Sequence, residues 1–231
     1  MGTFNFTQNV TCDETIQTDQ YMQQDSISAQ LIDQPWDDDA PAGWLLLVFV
    51  GVGIVNTTQT EGQLYISAGN AAGVDSVALA QKTLTAPNPI TTTEFKIKFD
   101  VLGTGFDGSA ASYDIVSYNQ YTGLYNVSII FSLDSVWFYD STNNYVKQFD
   151  YTFDNTSWYT FRIIINQNEV EIWMKDDDAD WAFLGCCDDA DPNTGNGGLV
   201  QFVVFNYPTS PATTQCHVDY LKVTTGAFPP R

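Results

Sequence analysis

Between residues 186 and 198 the chain reads Cys-Cys-Asp-Asp-Ala-Asp-Pro-Asn-Thr-Gly-Asn-Gly-Gly, a run rich in oxygen ligands. Asp189, Asp191 and Asn193 recur at every second position, as the first ligands of a calcium loop do. The pattern then departs from an EF-hand. Its glycine, Gly195, falls one place late, and the twelfth position is Val200 instead of a bidentate glutamate. Oxygen-only ligands on a chain of formal net charge −20 favour Ca2+ over transition metals. The competing use of the same residues is a set of solvated turns.

The remaining reactive groups are few. The four cysteines, Cys12, Cys186, Cys187 and Cys216, form no Cys-x-x-Cys pair, and His217 is the single histidine, so a zinc site is not expected. Adjacent cysteines rarely bridge each other. If oxidised, the chain is expected to send one of Cys186 and Cys187 to Cys216 and the other to Cys12. His217, flanked by Cys216 and Val218 in a strand-like run, suits packing or pairing better than catalysis. No Gly-x-Ser-x-Gly supplies a nucleophile for a triad. The stretch Gly103-Thr-Gly-Phe-Asp-Gly108 has no closing Lys-Ser/Thr and no helix pattern after it, so it reads as a strand connection, not a phosphate cradle. Trp137, Tyr139, Trp173 and Tyr118, with Tyr113, Tyr121 and Tyr125, lie on or near strand-like runs. Such amphipathic rings stack well on sugars, and core packing is their other use.

These residues need strands to hold them. Ser128–Trp181 carries four apolar runs, Ser128–Tyr139, Tyr145–Phe153, Trp158–Ile165 and Glu169–Met174, separated by turn-forming clusters. Tyr159, Phe161, Ile163 and Ile165 share one face of an extended chain, as do Val170, Ile172 and Met174. Glu169, Glu171 and Lys175 take the opposite, solvent-facing side. The pattern predicts a β-meander, with a tight hairpin at Asn166-Gln-Asn168. Thr93–Val101 alternates as cleanly: Phe95, Ile97, Phe99 and Val101 against Lys96, Lys98 and Asp100. Further strands are expected at 44–50, Gln63–Ser67, Val77–Ala80, Tyr113–Tyr118, Leu124–Leu133, Leu199–Tyr207 and Cys216–Val223. Residues 176–198 read as a loop. Trp44–Val55 is too short for the roughly 20 residues of a membrane span and reads as one or two buried strands. Residues 1–43 show no period and are expected to form an irregular arm or first strands whose loss leaves the sandwich folded.

Composition agrees. Of 28 acidic residues only five are Glu (Glu14, Glu61, Glu94, Glu169 and Glu171), and scarce Glu with abundant Asp means few helices and many turns. Hydrophobic residues make up 44% of the chain, which excludes disorder as the reason for its acidity. The charge also excludes nucleic acid as a partner. The first residues hold neither a basic group nor an apolar core, so no signal peptide is expected. Five Asn-x-Ser/Thr sequons, at Asn5, Asn9, Asn56, Asn126 and Asn155, carry little weight in so Ser- and Thr-rich a chain.

Four segments together resemble the concanavalin A-like lectin/glucanase superfamily in its laminin G-like branch. They are Glu61-Gly-Gln-Leu-Tyr-Ile66, Thr93–Val101, the pair Trp158-Tyr-Thr-Phe-Arg-Ile-Ile-Ile165 and Glu169-Val-Glu-Ile-Trp-Met174, and the closing runs Gly198–Val204 and His217-Val-Asp-Tyr-Leu-Lys-Val-Thr224. The resemblance spans residues 44–226, leaving 227–231 as a tail. It implies an all-β, two-sheet antiparallel jelly-roll sandwich.

The resemblance also implies chemistry to be tested. Glucanases of this fold resemble one another in a Glu-x-Asp-x-x-Glu strand. Here the nearest match has Glu171 in the middle and Met174 at the acid/base position, so no second carboxylate is supplied. Lyases of the fold look as if they need a cationic, uronate-neutralising site, which so acidic a chain does not suit. Calcium-binding members often draw a ligand from the Asp of a strand like Val-Asp-Tyr here, which points to Asp219.

The sequence therefore predicts a non-enzymatic surface or structural module with a glycan or a neighbouring subunit as partner, and a homo-oligomer. Its place would be a virion or extracellular surface, as a capsid decoration protein. The alternatives are a secreted or archaeal surface lectin, and a divergent glycoside hydrolase.

Overall fold

Alternation of apolar and polar residues buries one parity of almost every strand in a single core. The computed structural model describes residues 30–36, 42–58, 61–69, 74–84, 90–102, 109–117, 125–139, 145–166, 169–177, 179–187, 198–206, 213–226 and 230. Among them there are fifteen strands and no helix. Sheet A runs β13 (Ala182–Cys187), β12 (Glu169–Asp176), β11 (Tyr159–Asn166), β6 (Ile90–Val101), β15 (Thr214–Thr225), β4 (Gln63–Ala68) and β3 (Gly53–Thr58). β1 (Gln30–Gln34) pairs with the second half of β15, continuing the line that β4 begins. Sheet B runs β10 (Tyr145–Asp150), β9 (Ser135–Tyr139), β8 (Tyr125–Ser132), β7 (Ser109–Ser117), β14 (Gly198–Asn206), β5 (Ser76–Leu84) and β2 (Trp44–Val50). Sequence neighbours and distant strands alike pair antiparallel. The architecture is the all-β, two-sheet sandwich that the alternation predicts.

An aromatic cluster joins the sheets. Phe95 on β6 stacks on Phe161 of β11 with centroids 5.5 Å apart, and meets Phe202 of β14 edge-on at 5.3 Å. Phe131 on β8 lies 4.7 Å from Phe161 and 5.2 Å from Phe99. All five are essentially without solvent contact. Ring pairs at these spacings add to the gain from burying their area. The β2–β3 corner depends on Gly51, whose φ is +73°; a Cβ there would sit 2.6 Å from the Asp75 carbonyl oxygen.

Several local expectations change. Residues 30–36 belong to the sandwich: Ile32 is 3% exposed and Trp36 fully buried, its ring 4.7 Å from that of Trp44. The boundary expected at residue 44 therefore cuts through the core. Trp44–Val55 does form two strands, but each is the outermost described strand at its end of a sheet, with one side exposed instead of buried. The predicted meander is two sets of hairpins, because the chain crosses from sheet B to sheet A between β10 and β11. The Phe153 N–H donates to the Leu133 carbonyl at 2.9 Å, and the Asp154 N–H donates to Tyr159 Oη at 2.6 Å, fixing that crossing. Ser128–Tyr139 is split between β8 and β9 by a turn at Leu133-Asp134, and the loop expected over 176–198 contains β13.

Candidate functional site

The outward parity of sheet A lines up in transverse rows because the strands are in register. Phe183, Trp173, Arg162, Glu94 and Lys222 are successive partners across β13, β12, β11, β6 and β15. Lys175, Thr160, Lys96 and Tyr220 form a second row, and Lys98, His217 and Tyr65 a third. Apolar neighbours on the same strands, such as Phe95, Ile97, Phe161, Ile163, Ile172 and Met174, are all in the core, which fixes the outward direction of these rows. On β15 a register shift between Val218 and Tyr220 adds a residue, so Asp219 and Tyr220 share the outer side.

Ion pairs and rings hold this face together. Arg162 Nε donates to Glu94 Oε2 at 2.9 Å, and Tyr220 Oη donates to Glu94 Oε1 at 2.8 Å. Burial, then the Glu94 charge, push the Tyr220 hydroxyl pKa up, so it stays a donor. The Arg162 guanidinium lies 4.7 Å from the Trp181 ring and Lys175 Nζ 5.3 Å from it, while Lys96 Nζ lies 5.4 Å from Trp158. Trp173 packs on Phe183 at 4.9 Å, and its indole N–H donates to Glu171 Oε2 at 2.9 Å. Glu171, expected on the solvent side, is only 4% exposed. His217 Nε2 is 2.8 Å from Asp100 Oδ2, and its ring lies on Tyr65 at 4.9 Å; it is paired, as its flanking residues suggested. Five of the chain's eight Lys and Arg residues (Lys96, Lys98, Arg162, Lys175 and Lys222) stand here opposite Glu94, Asp100, Glu171 and Asp219. The face is close to neutral, so the excess of −20 lies elsewhere.

The residues expected to bind a ligand do not form one site. Val136 and Phe138 are core residues, so Trp137 faces out of sheet B, its indole donating to Ser135 Oγ at 2.7 Å. Trp173 faces out of sheet A, on the far side of the sandwich. Tyr118 and the side chain of Tyr139 lie outside the described residues, as do Asp189, Asp191 and Asn193. Asp219 is 3.8 Å from the Lys96 ammonium, a poor surrounding for a cation ligand. Among the described residues no group of three His, Cys, Asp or Glu side chains is placed to hold a metal ion. Glu94, Arg162, Trp158, Trp181 and Phe183 were not foreseen as a group. Polar parity on β6 and β11 was the one sequence signal for them.

The cysteine pairing is corrected as well. Cys186 is in a disulfide, but Cys216 is a free thiol, fully buried between Gln215 and His217 on β15. Cys12 and the side chain of Cys187 lie outside the described residues. Burial, with the Asp100 charge adding to it, pushes the Cys216 pKa up and keeps the group a thiol. Cys216→Ala is therefore expected to leave native-state labelling by a thiol reagent unchanged and to remove one labelled thiol in denaturant. A drop in native labelling would contradict this burial.

No family model and no curated protein matches the sequence. Solved structures do. Peanut lectin with a nine-residue peptide is 11% identical, covering 88% of this chain and all of that one, with a TM-score of 0.61. Ulex europaeus lectin II with galactose is 10% identical over 87% of this chain and 99% of that one, also at 0.61. The carbohydrate recognition domain of Emp46p in its potassium-bound form is 13% identical over 86% and 97%, at 0.59. Likeness at these identities speaks for the fold. The chain shares the two-sheet β-sandwich fold of these lectins, the fold that the sequence resemblance implied.

Proposed function

We propose that this chain is a non-catalytic carbohydrate-binding β-sandwich whose sugar surface is the outer face of sheet A. The observation that carries the reading is the strip of partly exposed rings, Trp158, Trp173, Trp181, Phe183 and Tyr220, interleaved with the fixed Arg162–Glu94 pair. Ring faces cover the apolar C–H side of a sugar, while a few oriented polar groups read its hydroxyls. Ion pairs and cation–π contacts hold the rings before any ligand arrives, which lowers the ordering cost of binding. Lectins among the structural neighbours, one of them holding galactose, support a glycan as the ligand class.

The carboxylates on this face support the non-catalytic reading. Glycosidic cleavage takes two, one acting as acid and one as base or nucleophile. Glu94 is occupied by Arg162 and Tyr220, Glu171 is buried under the Trp173 indole, Asp100 is paired with Lys98 and His217, and Asp219 with Lys96.

Titrating a panel of neutral oligosaccharides, read by tryptophan fluorescence and calorimetry, tests the proposal. A saccharide that binds is expected to lose affinity by about tenfold or more in Trp173→Ala and Trp181→Ala, about 1.4 kcal/mol or more for each. Trp137→Ala, on the other sheet, should leave the affinity unchanged. Loss of binding in Trp137→Ala alone would move the site to sheet B. Release of reducing ends would make the protein an enzyme.

A further inference from the structure

One transverse row of sheet A runs from β1 to β13. Gln30, Thr224, Thr92, Ile164, Glu171 and Cys186 are successive partners across β1, β15, β6, β11, β12 and β13. From β6 onward they take the outward parity, because Phe95, Ile163, Ile165, Val170 and Ile172 on the same strands face the core. Even so they are out of water: Thr92 is 6% exposed, Ile164 0%, Glu171 4% and Cys186 8%. The next row, Lys222, Glu94, Arg162, Trp173 and Phe183, is partly or fully exposed throughout. The Gly226 carbonyl accepts from Thr92 Oγ1 and the Trp173 indole donates to Glu171, one bond toward each end of the stretch. Ile164, between them, is the most deeply buried of the four. A cover lies over this row and stops before the next.

Cys186 identifies the cover. It is in a disulfide while Cys216 is a free thiol, so its partner within the chain is Cys12 or Cys187. Successive residues of a strand point to opposite sides, and cysteines whose Cβ vectors point apart are not bridged. Cys12 remains. The chain from Cys12 to Gln30 reaches about 60 Å when extended, whereas β1 and β13 are roughly 24 Å apart at the usual strand spacing. The tail 227–231 holds no cysteine and reaches at most about 17 Å, short of β13. Charge agrees. Residues 13–29 carry Asp13, Glu14, Asp19 and Asp25 and no Lys or Arg, and they would meet the face that holds five of the chain's eight cations. Ile16, Tyr21, Met22 and Ile27 supply apolar side chains to set over Ile164. We propose that residues 13–29 lie across the outer face of sheet A, along the row from Gln30 to Cys186, tied there by a Cys12–Cys186 disulfide. The segment then borders Trp173 and Phe183 and leaves Trp158, Trp181 and Tyr220 open to a ligand.

Mapping the bond in the full chain is the first test. Free thiols are alkylated in denaturant and the unreduced chain is cut with trypsin. Residues 1–82 should stay joined to 176–222, with fragmentation placing the bond on Cys12 and Cys186. The second test is cleavage of the native chain by an Asp-directed protease. Cuts at Asp19 and Asp25 should be slower by about tenfold or more than in Cys12→Ser, or than in the reduced wild-type chain if that variant does not fold. Ile164→Ala keeps the tether but removes a contact beneath the segment. It should speed these cuts by about threefold or more, while cuts at Asp100 and Asp150, inside strands, stay unchanged. A bond from Cys186 to Cys187 or to a second chain would overturn the proposal. So would cuts at Asp19 and Asp25 that either change fails to accelerate. None of these readouts involves a saccharide, so the sugar surface on sheet A stands or falls separately.

Discussion

A chain that starts at residue 44 is expected not to fold. It loses β1, which covers β15 from Leu221 to Thr224, and it loses Ile32 and Trp36 from the core. Trp36 alone is fully buried against Trp44, whose indole N–H donates to Gln34 Oε1 at 3.0 Å. Truncating a buried Trp to Ala costs about 3–5 kcal/mol, a large share of the roughly 5–15 kcal/mol that holds a domain folded. Trp36→Ala in the full chain should therefore lower the denaturant midpoint strongly, and removal of 1–43 should abolish the transition. A truncated chain with an unchanged midpoint would show that the segment is dispensable after all.

Phe95→Ala is expected to cost a similar amount, about 3–5 kcal/mol in urea unfolding. The residue is completely buried, and its ring meets Phe161, Phe202 and Phe131, so its loss opens a cavity across both sheets. Phe95→Leu keeps most of the volume and should cost well under half as much. Lys96→Ala, one residue on but on the outward parity, should stay within about 0.5 kcal/mol. The contrast between neighbours is the informative part. If Lys96→Ala cost as much as Phe95→Ala, the assignment of faces on β6 would be wrong.

Parity was legible in the sequence because it is local. Phe95, Ile97 and Phe99, or Val170, Ile172 and Met174, declare their face within one strand. Register between distant strands has no local signal. Glu94 and Arg162 meet because β11 aligns with β6 residue for residue, and no motif links those positions. Trp137 and Trp173 looked equivalent as ring-bearing strand positions, but the crossing between β10 and β11 sends them to opposite sides of the molecule. β2 is apolar on both parities, which reads as a strand covered twice, and only the sheet order reveals it as an edge. Trp36 was hidden for a different reason. It is a single anchoring ring between Pro35 and Asp37 with φ of +61°, and one anchor makes no period.

The sheet order also sets an expectation for the sequence of events in folding. β7, β8, β9 and β10 are neighbours both along the chain and in sheet B, so each can pair soon after the one before it. β6 cannot. It lies between β11 and β15, and Val101 meets Gln215, so half of its partners arrive only after most of the chain has been passed. Closing so long a loop precedes any reward from contact, which slows the step. Until it closes, the apolar row Phe95, Ile97 and Phe99 lacks the strand beside it, and any second unfinished chain is a competing partner. Refolding yield should thus depend on protein concentration through β6, even though β6 lies between two strands, β11 and β15, once the sandwich is complete.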